Sequence, residues 1–189
     1  MMSNASQFKL PAPTAGERFL ERCARALPIL LLPWLAVLAP ATFAAPTPLG
    51  AQAPDFALPA TSGGNVRLSE HRGEVVLITF WSSNCAICAT QLHALDSLQE
   101  TYRSAGLVTL GVSVDDDLVR ARRYAAGHPL RFPLLLDRSK QVSRSYGIGQ
   151  LPTTVLIDRR GRLRYMQSQD RGTDNSYTAT VRELLDDPL

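Results

Sequence analysis

Seven consecutive residues, Val75-Val76-Leu77-Ile78-Thr79-Phe80-Trp81, are apolar, β-branched or aromatic, with the Thr79 hydroxyl and the Trp81 indole N–H as their only side-chain polar groups. A strand with one wet face alternates polar and apolar side chains. This one does not, so it reads as a central strand covered on both faces. Cys85 and Cys88 follow at once. They open a segment in which Leu92, Leu95, Leu98 and Tyr102 recur every three or four residues, the mark of an amphipathic helix ending near Gly106. The two thiols are therefore expected three residues apart on the first turn of a helix that leaves a buried strand. There, unpaired amide N–H groups and the positive end of the helix dipole favour a thiolate.

The rest of the chain supplies the matching elements. Phe56 to Pro59 and Val66 to Leu68 flank Thr61-Ser62-Gly63-Gly64, which predicts a hairpin. Leu107 to Val114 reads as a second buried strand, and Asp115-Asp116-Asp117 opens a helix through about Ala126. Phe132 to Leu136 is a short strand, followed by a helix over Gln141 to Tyr146. Thr153 to Ile157 and Leu163 to Met166 are strands joined by the turn Asp158-Arg159-Arg160-Gly161, and a last helix covers about Ser176 to Leu185. Alternating strands and helices with a closing hairpin give an α/β sheet with helices on both faces.

The chain has 189 residues, enough for one domain and an N-terminal extension. Residues 26–45 are apolar or small, with arginines before them and Thr42-Phe43-Ala44 suited to cleavage at their end. Residues 1–44 are expected to be a signal peptide or, if uncleaved, a membrane anchor, with 45–54 as linker and 55–189 as the domain. The arginine bias leaves the N-terminus inside and the domain in the periplasm or another extracytoplasmic space. Four of the 20 basic and two of the 17 acidic residues fall in this leader, so the remainder is nearly neutral. No basic stripe argues for nucleic acid.

Cys23 precedes the apolar run, which leaves Cys85 and Cys88 as the only cysteines of the domain. Two cysteines in one helical turn cannot staple distant segments, so a structural framework is not expected, and an inert buried dithiol is the bland alternative. Zinc would need two more ligands, and His71, His93 and His128 do not lie at finger-like spacing. Redox exchange is the better account, with Cys85 as exposed nucleophile and Cys88 as buried resolving thiol. His93 is read as a solvated surface residue, the Asp115–Asp117 run as dipole complementarity, Asn84 as a helix cap, and the Arg159–Arg162 cluster as a charged hairpin tip. Copper(I) handling by the two soft thiols is a non-enzymatic alternative.

In this order and spacing, the chain resembles the thioredoxin-like superfamily, and within it the TlpA/ResA group of exported thiol–disulfide oxidoreductases. The resemblance covers about residues 50–185. It rests on Ala53-Pro54-Asp55-Phe56, Leu68-Ser69, Arg72-Gly73, Phe80-Trp81, Cys85/Cys88, and Gly149-Gln150-Leu151-Pro152-Thr153-Thr154 running into Leu156-Ile157-Asp158 and Gly161. It implies a thioredoxin-like fold, with a central mixed sheet, helices on both faces and an N-terminal β-hairpin. It also implies a cis Pro152 beside the cysteines, substrate contact through Trp81, Asn84, Leu151 and Pro152, and a monomer acting on protein disulfides. The redox-active disulfide Cys85–Cys88 is then the whole redox group, with no cofactor or metal, and a membrane donor of the DsbD or CcdA type supplies electrons.

Four positions depart from the group. Asn84 stands where Trp is usual, Gln91 and His93 where Glu and Pro are usual, and Thr79 where many relatives have Asn or Asp. No carboxylate is therefore at hand to take a proton from Cys88. A peroxiredoxin-like peroxidase shares the Ala-Pro-Asp-Phe opening. It would need Pro and Thr where Ile78 and Ser82 stand.

Overall fold

The computed structural model describes residues 47–168 and 176–187, so the expected leader, Cys23 and the start of the linker lie outside the described residues. The elements are β1 (Ala57–Pro59), β2 (Asn65–Arg67), β3 (Val75–Trp81), α1 (Ala86–Tyr102), β4 (Leu107–Ser113), α2 (Leu118–Gly127), β5 (Leu134–Leu136), α3 (Gln141–Ser145), β6 (Thr153–Ile157), β7 (Leu163–Ser168) and α4 (Ser176–Asp186). Strands β5-β4-β3-β6-β7 form one mixed sheet, and β1 and β2 form a separate hairpin. β3 pairs parallel to β4, and β4 to β5, whereas β6 runs antiparallel to β3 and β7 antiparallel to β6.

Each residue of β3 is buried, as its unbroken apolar run demands. Alternate side chains enter two different cores. Val76, Ile78 and Phe80 pack with Val142 and Tyr146 beside α3 and with Phe56 and Leu58 of the hairpin segment. Val75, Leu77 and Trp81 face Cys88, Leu92 and Leu95 of α1 and Tyr177, Val181 and Leu184 of α4. Helices thus lie on both faces. Among the described residues no helix is long and apolar enough to cross a membrane.

Helix α1 differs from its expected stripe. Its fully buried positions are Cys88, Gln91, Leu92, Leu95 and Gln99, while Leu98 and Tyr102 are only partly covered. The helix tightens into a 3₁₀ turn at Arg103–Ala105 and ends at Gly106, whose φ of 95° suits a residue without Cβ.

Two polar segments are better anchored than the sequence suggested. Residues 50–53, expected within a linker, bond to the β6–β7 connection through Gly50 N to Leu163 O (2.7 Å) and Ala53 N to Gly161 O (2.9 Å). Arg159, expected at a hairpin tip, donates to Gly73 O at 2.9 Å and Leu185 O at 3.1 Å. It joins the turn to the start of β3 and the end of α4.

Gly111 of β4 lies where the sheet meets Phe132, Leu134 and Trp81. A Cβ added there would overlap Leu134 Cδ2 and stand 3.3 Å from Phe132 Cε2. Gly111→Ala should therefore lower stability by about 1–3 kcal/mol through overpacking. Urea unfolding checks this as a lower midpoint with unchanged slope.

Candidate active site

The cysteines lie where the chain turns from β3 into α1, and they are joined as a disulfide with their Cα atoms 5.2 Å apart. Cys85 is itself the N-cap of α1, with extended backbone (φ −98°, ψ 102°), and its Sγ accepts from the Cys88 N–H at 3.2 Å. The two sulfurs have unequal surroundings. Cys85 is half-buried, whereas Cys88 is 1% exposed in the core beneath α1.

Asn84 is not the cap. It stands one residue too early, and its Oδ1 instead accepts from Arg120 Nη1 of α2 at 2.7 Å. Its side chain remains exposed beside Cys85. Trp81, expected to meet substrate, offers it no surface: it is fully buried, 4.9 Å from the Tyr124 ring by centroids. The two-sided packing of β3 leaves its last side chain no route to solvent. Leu151 and Pro152 are linked by a cis peptide bond. Leu151 is partly buried against the same cluster that holds Cys88, Trp81 and the edge of Cys85. Pro152 is buried. Of the expected site residues, Asn84, Cys85 and Leu151 therefore reach the accessible surface, while Cys88, Trp81 and Pro152 lie within.

Beneath Cys88 the lining is polar but uncharged. Gln91, one helical turn on, is fully buried, and its Nε2 donates to Thr154 Oγ1 at 3.2 Å. Thr79 lies directly across from Thr154 in the sheet. Gln91 Oε1 and Thr79 Oγ1 have no hydrogen-bond partner among the described residues. His93 is exposed, with its ring centroid 6.1 Å from that of His128, away from this lining.

The Asp115–Asp117 run divides into three different roles. Asp117 caps α2 by accepting from Val119 N (2.9 Å) and Arg120 N (3.1 Å), as dipole complementarity requires. Asp116 is exposed and pairs with Lys140 at 2.6 Å. Asp115 turns inward and is 5% exposed. Its carboxylate accepts from the Ser82 hydroxyl (2.7 Å), the Ser83 hydroxyl (2.9 Å), the Ser83 N–H (3.0 and 3.1 Å) and the Ser113 hydroxyl (2.8 Å). Desolvation pushes this carboxyl up, but these donors outweigh it and hold Asp115 below its ordinary pKa. Sequence reasoning missed it. The signal available was three serines, Ser82, Ser83 and Ser113, at the C-terminal ends of two adjacent parallel strands.

Over residues 49–166 the sequence matches the AhpC/TSA family. The chain belongs to that family. Among curated proteins, the thiol-disulfide oxidoreductase ResA of Geobacillus thermodenitrificans is 35% identical over 116 residues, covering 61% of this chain and 67% of that one. ResA of Halalkalibacterium halodurans is 30% identical over 114 residues, 60% of this chain and 65% of its own. Among solved structures, a Chlorobium tepidum protein assigned as thiol:disulfide interchange protein DsbE superposes with a TM-score of 0.68 at 30% identity, covering 73% of this chain and 98% of that one. The exposed lipoprotein thioredoxin of Streptococcus pneumoniae gives 0.61 at 26% identity, covering 69% and 100%. The fold is thioredoxin-like, and this member of the family is a thiol–disulfide oxidoreductase of the ResA/DsbE type.

The neutral lining under Cys88 makes a sharp prediction. Gln91→Glu would place a carboxyl where burial raises its pKa above the unfolded value of about 4.3. Below that pH both states hold the proton. Above it only the folded state does, so stability falls as pH rises until the folded pKa is passed. The loss should be about 1.4 kcal/mol for each unit by which the folded pKa is raised. Urea midpoints of Gln91→Glu and the parent protein at pH 5 and pH 8 check it; parallel behaviour of the two would mean that the site is hydrated.

Proposed function

We propose that the protein is exported and reduces disulfides of extracytoplasmic proteins, using Cys85 and Cys88 as its redox dithiol. The observation that carries this reading is the unequal burial of two sulfurs at one helix N-terminus, with a first-turn N–H aimed at Cys85 Sγ. That arrangement suits a nucleophile that can be reached and a second thiol that cannot. The Cys85 thiolate attacks one sulfur of a substrate disulfide, forming a mixed disulfide and expelling the other substrate sulfur as thiolate. Cys88, as thiolate, then attacks Cys85 Sγ. The Cys85–Cys88 disulfide forms, the second substrate sulfur leaves, and two electrons have passed to the substrate. The Cys88 proton goes to water or to the departing substrate sulfur, since among the described residues the lining around Gln91 and Thr79 holds no carboxylate.

Asn84 and Ile87, the latter 51% exposed, border Cys85 and form the surface a partner would meet. An extended substrate segment would pair with the backbone at Leu151, just before β6, in the manner of strand addition. The apolar stretch 26–45 supports export, with or without retention as an anchor. Outside the cytoplasm the spent disulfide needs two electrons from another dithiol, and a membrane donor of the DsbD or CcdA class fits that need. The peroxidase alternative is poorly supported: Ile78 is inside β3, and the Ser82 hydroxyl is engaged with Asp115.

Trapping in cells tests the reading. Cys88→Ala should accumulate mixed disulfides through Cys85, released by reductant, and Cys85→Ala should not. Adducts that fail to form, or that form equally with Cys85→Ala, would sink the assigned roles.

A further inference from the structure

Asp115 is a buried carboxylate with no ion-pair partner among the described residues. Such a group destabilises a fold unless hydrogen bonds replace the lost water. Here they do, and most of them come from one place. Ser82 and Ser83 are the first residues after β3 and lead directly to Asn84 and Cys85.

The topology explains the meeting. Trp81 and Ser113 are register partners at the C-terminal ends of β3 and β4, and Val114 N bonds Trp81 O at 2.9 Å. The two chains therefore leave the sheet side by side, with Asp115 beside the β3–α1 loop. The network then continues toward the sulfur. Ser82 Oγ donates to Asp115 and accepts from Asn84 N at 3.3 Å, while Ser82 O accepts from Cys85 N at 3.0 Å. From the other side Arg120 holds the Asn84 side chain. The loop from 82 to 85 is thus pinned by its hydroxyls, its backbone and its one amide.

We infer that Asp115 is a positioning residue for Cys85: by collecting the donors of Ser82 and Ser83, its carboxylate holds the loop so that the Cys85 sulfur caps α1. The inference rests on Cys85 being the nucleophile, as proposed above. The chemistry calls for a carboxylate specifically. Three hydroxyls and an N–H all donate, and an ionised carboxyl is acceptor-only, whereas an amide would turn its own N–H bonds against them. The consequence for reactivity follows. A sulfur kept over the first-turn N–H groups is stabilised as thiolate; one that drifts from them returns toward an ordinary thiol pKa of about 8.5.

The test uses the reduced protein as Asp115→Asn, with Asp116→Asn as a charge-matched control on the exposed neighbour. Thiolate absorbance and alkylation rate against pH give the Cys85 pKa, and near-ultraviolet circular dichroism reports the fold. The expected result is a Cys85 pKa raised by about one unit in Asp115→Asn, which means an approximately tenfold smaller thiolate fraction below the pKa. Attack on a small aromatic disulfide at neutral pH should slow accordingly, with Asp116→Asn like the parent. Ser83→Ala, which removes one donor, should shift the pKa less and in the same direction. An unchanged pKa in folded Asp115→Asn overturns the inference. So does a lowered pKa, which would make Asp115 merely a nearby negative charge. If Asp115→Asn fails to fold, Ser82→Ala and Ser83→Ala decide it, and no shift in either overturns it. A parent protein that does not attack disulfides at all would instead defeat the functional reading, since the pKa comparison stands without turnover.

Discussion

β3 has no residue facing water, and the domain is arranged around that fact. Its even-numbered side chains require the hairpin and α3, and its odd-numbered ones require α1 and α4. The parallel neighbour β4 and the antiparallel neighbour β6 complete its hydrogen bonding. A strand enclosed in this way must deliver its chain to the surface at its C-terminal end, between two packed layers. The backbone polar groups of that exit cannot all be met by water. The result is a short, heavily hydrogen-bonded loop, with a sulfur at its end where a helix begins.

Local order was readable because it depends on local pattern. The run Val75–Trp81, the three- and four-residue spacing after Cys88 and the turn at Asp158–Gly161 each report their own element, and the structure has all three near the expected bounds. What escaped depends on residues far apart in sequence. Nothing near Asp115 says that it faces Ser82 and Ser83 across 32 or more positions. Asn84 looked like a cap because it precedes the helix, yet the extended residue at the boundary is Cys85 and the partner of Asn84 is Arg120. Resemblance puts Trp81 partly at the surface. Its position in an unbroken buried strand was the sounder guide, and it is enclosed.

The buried side of α1 shows how pattern misleads about polarity. Gln91 and Gln99 occupy core positions that a hydrophobic-stripe argument gives to Leu98 and Tyr102. Both face the sheet. Gln99 Nε2 reaches Leu107 O at 3.1 Å, and Gln91 Nε2 reaches Thr154. Each amide satisfies its nitrogen and leaves its oxygen without a partner among the described residues, as do the hydroxyls of Thr79 and Thr109. A neutral polar row in a core is weakly stabilising at best, because unsatisfied atoms offset the bonds that form. Among the described residues it puts neutral side chains on the face of α1 that carries Cys88.

The placement of carboxylates therefore separates two jobs. One beneath Cys88, in a lining of amides and hydroxyls without a cation, would be driven toward its neutral form by burial. Its charge would then vary with pH and compete with the thiol for a proton. Asp115 is buried as well, but its donors keep it ionised, so its charge and its grip on Ser82 and Ser83 persist across the range in which thiols titrate. Protonation of Asp115 would release the loop only in acid, below its already lowered pKa. Near neutral pH the loop before Cys85 is thus held by a carboxylate whose charge does not change there, and the sulfur at its end sits at the helix terminus whatever the pH of that range.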